Sequence, residues 1–197
     1  MVDNTTCFNL ENYKLKLKNF NSTEKYKREM QMLYRLICPL PNEKIVDIGC
    51  GIGTCIRSFS EQLPQAQWLG YDVNKMYIGA LNKIPYNIDK AYFMHSFSHI
   101  KELTKLLVEI HDKLNEKGEI IIVTPNPEWI WKNHDANYKP DETVVEHYSI
   151  NQLKEILSSL FEIVLIGQFD SDNKRIPLFG KDTLNERIFI KAIKKYA

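Results

Sequence analysis

The chain lacks any uninterrupted apolar run near the roughly 20 residues that a membrane-spanning helix needs, so no integral membrane segment is expected. Its opening, Met1-Val2-Asp3-Asn4, lacks the basic and apolar regions of a signal peptide, and the expected location is the cytoplasm. Cysteine is scarce. The four present (Cys7, Cys38, Cys50, Cys55) follow no disulfide-scaffold spacing, so reduced thiols are expected. Cys50 and Cys55 have no companions that would complete a zinc site, and no metal is expected. An excess of one charge is missing too: 26 Lys and Arg face 25 Asp and Glu, a formal net charge of +1. Such a surface has no global field to recruit nucleic acid or an anionic membrane. No repeat or low-complexity tract appears. What remains is 197 residues with 44% hydrophobic content, enough for one domain with a full α/β core. We read 1–197 as that domain, with 1–40 as an N-terminal cap and helix and 41–197 as the core.

Glycine is also sparse, at eight residues, yet three of the eight alternate at Gly49, Gly51 and Gly53. Ile45, Val46 and Ile48 just before them form a short apolar run that suits a buried parallel strand. Glycine tolerates positive φ and carries no Cβ, so the backbone can turn sharply and let a ligand lie against it. A helix beginning near Thr54 would add its unpaired N–H groups. Trp68-Leu69-Gly70-Tyr71-Asp72 then reads as a second strand ending in a carboxylate beside the same crevice. That carboxylate can accept hydrogen bonds from the two vicinal hydroxyls of a ribose. These residues imply a nucleoside cofactor without saying which.

Spacing separates the main cofactor classes. A dinucleotide fold uses G-x-G-x-x-G, whose third glycine would fall on Thr54. Here the pattern is Asp47-Ile48-Gly49-Cys50-Gly51-Ile52-Gly53, an acid inside the strand followed by G-x-G-x-G. This stretch resembles motif I of the class I S-adenosylmethionine-dependent methyltransferases, with Asp72 in the place of that family's ribose-binding acid. The resemblance implies S-adenosyl-L-methionine as cofactor. Asp47 and the turn N–H groups would orient its methionine part, Asp72 would hold the ribose, and Met94, His95 and Ser96 would form the opposite wall. Cys50 and Val73, inside and beside these motifs, join the same set. The implied fold is α/β: a Rossmann-like open sheet, mostly parallel with one antiparallel strand, and helices on both faces. A typical member has a further strand and helix after the acid equivalent to Asp72, and here only Ile84 to Lys90 is left for them. That edge strand is therefore expected to be shortened or missing, which leaves Asp89 as the substitute for the family's adenine contact.

Elsewhere, Ser22 or Thr23 can cap a helix to about Ile37 whose apolar face is Tyr26, Met30, Leu33, Tyr34 and Ile37. Asn74 can cap a helix through Met76, Tyr77, Ala80 and Leu81. Ala91 to Phe97 reads as a strand, Lys101 to Glu116 as a helix closed by Gly118, and Glu119 to Thr124 as a strand. Residues 127–148 read as an aromatic-rich loop carrying Trp129, Trp131, His134, Asp135, Tyr138, His147 and Tyr148. Ser149 to Gln152 matches a capping box, and two strands, Phe161 to Phe169 and Arg187 to Ile193, follow.

Methyl transfer needs an aligned nucleophile, exclusion of water and, for some acceptors, a base. His99 and His147 are the first candidates for that base, with His95 and His134 behind them. The family's Asn-Pro-Pro-Tyr-like motif after the fourth strand is replaced by His95-Ser96-Phe97-Ser98, which argues against methylation of nucleic-acid bases. The expectation is O- or N-methylation of a small-molecule acceptor. Tyr13, Phe20, Tyr26 and the 127–148 segment would choose it. Two other classes stay open on sequence: an NAD(P)-dependent oxidoreductase, and a non-catalytic binding protein on a methyltransferase scaffold.

Overall fold

Apolar side chains at alternate strand positions divide between the two faces of a single sheet in the computed structural model, which describes residues 15, 18, 19, 22–74, 79–133, 143–170 and 185–196. The strands are β1 (Lys44–Ile48), β2 (Gln67–Tyr71), β3 (Ala80–Leu81), β4 (Ile88–Met94), β5 (Leu114–Pro125), β6 (Phe161–Phe169) and β7 (Arg187–Lys194). They lie in the order β3-β2-β1-β4-β5-β7-β6, with β7 antiparallel to both neighbours and the other pairs parallel. This is the mostly parallel, Rossmann-like sheet the sequence predicted. Helices α1 (Glu24–Ile37) and α2 (Thr54–Gln62) cover the face that carries Ile45, Tyr92, Ile121 and Phe189. Helices α3 (Leu103–Lys113) and α5 (Ile150–Ser158) cover the face that carries Val46, Phe93, Ile122 and Ile190. A short α4 (Pro127–Asn133) sits after β5. Thr23 caps α1 by accepting the Tyr26 N–H at 3.2 Å, and Ser149 and Gln152 form the capping box of α5.

The edge strand survives as two residues, Ala80 and Leu81, paired with Gly70 and Tyr71. Ala80 and Leu81 are therefore strand, where the sequence suggested helix; Met76 and Tyr77 lie outside the described residues. No helix follows β3, and chain length explains why. Across the β3-β2-β1-β4 order, Leu81 lies level with Ile48, so the chain must cross three strand spacings and descend about five residues to reach Ile88. That path is about 22 Å, close to the reach of seven extended residues, whereas a helix would cover about 10 Å. The crossing strap buries Ile84, at 2% exposure, in the cluster with Val46, Ile88 and Phe93. One side chain stands where a helix would otherwise cover the sheet. Ile84→Ala should destabilise the protein by about 2–5 kcal/mol, read as a lower urea midpoint. A change under about 0.5 kcal/mol would show that the strap is not part of the core.

Other boundaries moved for local reasons. α3 stops at Lys113, with Leu114 as its C-cap, and β5 begins at once. Gly118 is therefore a strand residue and not a helix cap. A Cβ there would lie 2.9 Å from the Asn115 carbonyl oxygen, so the close approach of the bulged strand is what calls for glycine. β4 ends at Met94, because His95 takes φ +62° and Phe97 to His99 form a 3₁₀ turn. Part of the expected 127–148 loop is helix α4. Among the described residues no helix is long and apolar enough to cross a membrane.

Candidate functional site

The site is built at the carboxyl ends of β1, β2 and β4, where open α/β sheets place their ligands. Gly49, Gly51 and Gly53 all have positive φ, at +79°, +53° and +75°. Gly49 also sits directly against Ser96: a Cβ at Gly49 would lie 2.4 Å from the Ser96 Cβ. Ser96 Oγ donates to the Ile48 carbonyl, locking the end of β4 onto the end of β1. The glycine N–H groups are not directed at a ligand, contrary to the sequence reading. Gly49 N–H donates to Tyr71 O (2.7 Å), Gly51 N–H to Asp72 Oδ2 (2.9 Å) and Gly53 N–H to Cys50 O (2.8 Å). They are spent on shaping the turn, which leaves bare Cα surface for close ligand approach.

Asp72 is the hub of that turn. Its second oxygen, Oδ1, accepts the Asn74 N–H at 2.8 Å. A carboxylate has about four acceptor positions, so two remain for further donors. Val73 next to it is 77% exposed. Asn82, also exposed, follows the edge strand one residue past the Tyr71–Leu81 pair, on the same rim as Asp72. Asp89 is at the opposite end of the sheet, accepting from the Lys44 N–H (2.8 Å) and from Asn115 Nδ2 (2.7 Å). It cannot serve adenine, and that expectation is withdrawn. Cys50 packs beneath the turn, its Sγ 2.8 Å from where a Gly70 Cβ would be, and burial pushes its thiol up to about 12. It is a packing residue and not a nucleophile. Met94 likewise turns its side chain into the core, so the crevice wall there is backbone.

Asp47 and Tyr92 face each other across the β1–β4 ladder. Asp47 is 2% exposed, and its carboxyl and the Tyr92 hydroxyl are buried against each other. Burial is the main cause that pushes the Asp47 carboxyl up to about 8; the Tyr92 phenol opposes the rise and Asp72 adds to it. Tyr26 of α1 and Cys55 of α2 lie near the same carboxyl, bonded to each other at 3.3 Å. The folded state thus holds the Asp47 proton more tightly than the unfolded chain, whose carboxyl titrates near 3.8. Stability of the ligand-free protein should fall as pH rises from about 4 to about 8 and level off above that. Urea unfolding at intervals through this range checks it. The decline should be shallower in Asp47→Asn, and equal slopes would disprove the assignment.

His95 turns away from the strand toward α1, where its Nε2 meets Glu29 Oε2 at 2.5 Å. Glu29 is fully buried, and its Oε1 accepts from Arg187 Nε at 2.9 Å. Arg187 in turn pairs with Glu186 (3.0 Å), and Glu186 with Lys25 (2.5 Å). Nothing in the sequence pattern singled out Glu29 or Arg187.

The two first-choice histidines come together. The Ser98 carbonyl accepts the Val145 and Glu146 N–H groups at 2.8 and 3.2 Å, docking residues 143–148 onto the turn after β4. Tyr148 packs edge-on against Phe97, ring centres 5.6 Å apart. His147 is half-buried, and both its ring nitrogens are shielded, with no hydrogen-bond partner among the described residues. Desolvation, then the neighbouring His99, lowers its pKa and favours the neutral imidazole. His99 is exposed and its Nδ1 lies 2.8 Å from Thr143 Oγ1. Trp129 of α4 is half-buried and Trp131 is 71% exposed; His134, Asp135, Tyr138, Tyr13 and Phe20 lie outside the described residues. Among the described residues no group of His, Cys, Asp and Glu could hold a metal ion.

These features fit a nucleoside sulfonium: a turn open to close approach, a carboxylate with spare acceptor positions at its rim, and a buried acid beneath. Known proteins agree. A methyltransferase-domain family matches residues 22–164. A methyltransferase dependent on S-adenosylmethionine from Archaeoglobus fulgidus superposes with TM-score 0.69 at 19% identity, over 92% of this chain and 99% of that one. A Thermotoga maritima protein described as a possible histamine N-methyltransferase gives 0.67 at 17% identity, over 94% and 98%. The geranyl diphosphate C-methyltransferase of Streptomyces coelicolor gives 0.60 at 13% identity, over 86% and 76%. Over 40 residues the chain is 48% identical to an uncharacterised protein of Rickettsia prowazekii, a stretch that is 20% of this chain and 16% of that one. With the glycine turn, the strand order and the family match in agreement, the chain belongs to the methyltransferase-domain family and is a class I S-adenosylmethionine-dependent methyltransferase.

Proposed function

We propose that the chain methylates an oxygen or nitrogen of a small-molecule acceptor, and that His147 takes the acceptor's proton. The observation that carries this is His147 itself: a neutral-favoured imidazole, shielded from water, with no partner among the described residues, and docked beside the carboxyl end of β4. In this reading Asp72 holds the cofactor ribose, Asn82 reads the adenine edge, and the backbone of Gly49 to Gly53 and of Met94 to Ser96 forms the walls. Asp47 lies beneath the turn, where the cofactor's positive charge would favour loss of its proton and make it the counter-charge. When bound, the cofactor supplies a methyl group on a cationic sulfur that leaves as a neutral thioether. His147 would take the O–H or N–H proton of the acceptor, leaving the acceptor's electron pair free to receive the methyl group. Thr143 orients His99, whose imidazole flanks the same opening. A near-neutral surface gives no support to a nucleic-acid acceptor. Solved neighbours described as a possible histamine N-methyltransferase and as a geranyl diphosphate C-methyltransferase support a small acceptor here too.

Small metabolites converted by the wild-type protein supply the acceptor for the test. His147→Ala should bind S-adenosylmethionine as the wild type does while turnover falls by about 10²–10⁴-fold. Unchanged turnover would remove His147 from the chemistry. A parallel loss of cofactor affinity would make its role structural.

A further inference from the structure

We propose that Glu29, on the N-terminal helix, is a positioning residue of the cofactor site. Holding the His95 side chain, it keeps the chain after β4 in the turn that sets Ser96 against Gly49. The inference rests on the reading that the Gly49 to Gly53 turn receives the cofactor.

His95 occupies a left-handed conformation, φ +62°, that a residue with a Cβ adopts only when its surroundings impose it. Its restraints include two hydrogen bonds. The His95 N–H donates to the Val123 carbonyl at 2.9 Å, and Nε2 meets Glu29 Oε2 at 2.5 Å. The next residue, Ser96, is the one that bonds the Ile48 carbonyl and fills the space beside Gly49. Any relaxation at His95 toward negative φ swings Ser96 away from the glycine turn and opens the wall. The anchor itself is rigid. Glu29 is fully buried, and its other oxygen is taken by Arg187 at the first residue of β7. Lys25, one helical turn before Glu29, pairs with Glu186 beside that arginine. Burying a carboxylate is costly, and an apolar residue of similar size would pack α1 on the sheet as well. A hold on His95 gives the buried charge a function that packing alone does not.

The test is a double-mutant cycle read as dissociation constants for S-adenosylmethionine and its demethylated product, with thermal unfolding recorded alongside. Glu29→Ala should weaken both ligands about tenfold, the equivalent of a backbone cost near 1.4 kcal/mol. Glu29→Met, which keeps the packing volume, is made in parallel so that at least one folded variant is read. Glycine adopts positive φ unaided, so in a His95→Gly background the same Glu29 change should leave affinity within about twofold, even though melting temperature still falls. A merely structural Glu29 would weaken binding equally in both backgrounds, and that overturns the proposal. Wild-type affinity in a folded Glu29→Met single variant overturns it too. A wild-type protein that binds neither ligand refutes the site assignment itself, a result distinct from either of those.

Discussion

Asp72→Ala is expected to weaken S-adenosylmethionine binding by about 2–4 kcal/mol, roughly 30- to 1,000-fold, while the protein stays folded. Two hydrogen bonds from ribose hydroxyls to a charged acceptor supply most of that. The structure adds a second contribution, because Asp72 also accepts the Gly51 and Asn74 N–H groups that shape the rim. Asp72→Asn separates the two. An amide oxygen can keep one of the backbone bonds, but its NH₂ cannot accept from a ribose hydroxyl, so Asn should recover stability more than affinity. Titration calorimetry and thermal unfolding on the same samples read both quantities. Unchanged affinity in folded Asp72→Ala would mean that the ribose lies elsewhere.

The second large effect belongs to Gly49→Ala. Alanine at φ +79° is strained whatever the space, and here its Cβ would also overlap the Ser96 Cβ, 2.4 Å away, in a joint fastened by the Ser96–Ile48 hydrogen bond. A left-handed non-glycine residue costs about 1–3 kcal/mol, and overpacking adds about 1–3 kcal/mol more. A loss of at least about 2 kcal/mol in urea unfolding is expected, together with loss of cofactor binding. In a Ser96→Gly background, which has neither the overlap nor the Ser96–Ile48 hydrogen bond, adding Gly49→Ala leaves only the backbone strain, so its cost measured against Ser96→Gly alone should be smaller. An equal cost in both backgrounds would place the fault in φ alone.

The glycine turn and its acid were legible in the sequence because their physics is local. Positive φ at alternate positions calls for glycine whatever the tertiary context, and Asp72 follows a strand that announces itself. The mostly parallel sheet with one antiparallel strand followed from the family that turn resembles. What was not legible depends on distance through the fold. Ala80 and Leu81 continue a helical pattern of spacing, and only pairing with Gly70 and Tyr71 makes them strand. Ile84 looks like a loop residue until the geometry of a short crossing forces it under the sheet. Glu29 is hidden more deeply. A search for the apolar face of α1 passes over a carboxylate beside Met30, and its partner Arg187 is 158 positions away. Asp89 failed for the opposite reason: its acidity was visible, but the end of the strand on which it lies was not. His99 and His147 were chosen by residue type, and the contact of residues 143–148 with Ser98 brings them together.

The central claim is that this site moves a methyl group from S-adenosylmethionine to a small molecule. The most direct measurement incubates the protein with methyl-labelled S-adenosylmethionine and a cell extract, then divides the label among small metabolites, RNA and protein. The account predicts label in the small-metabolite fraction, present with wild type and absent with Asp72→Ala. Label recovered only in RNA or protein would contradict the acceptor class, and no transfer from any extract despite tight cofactor binding would contradict the activity.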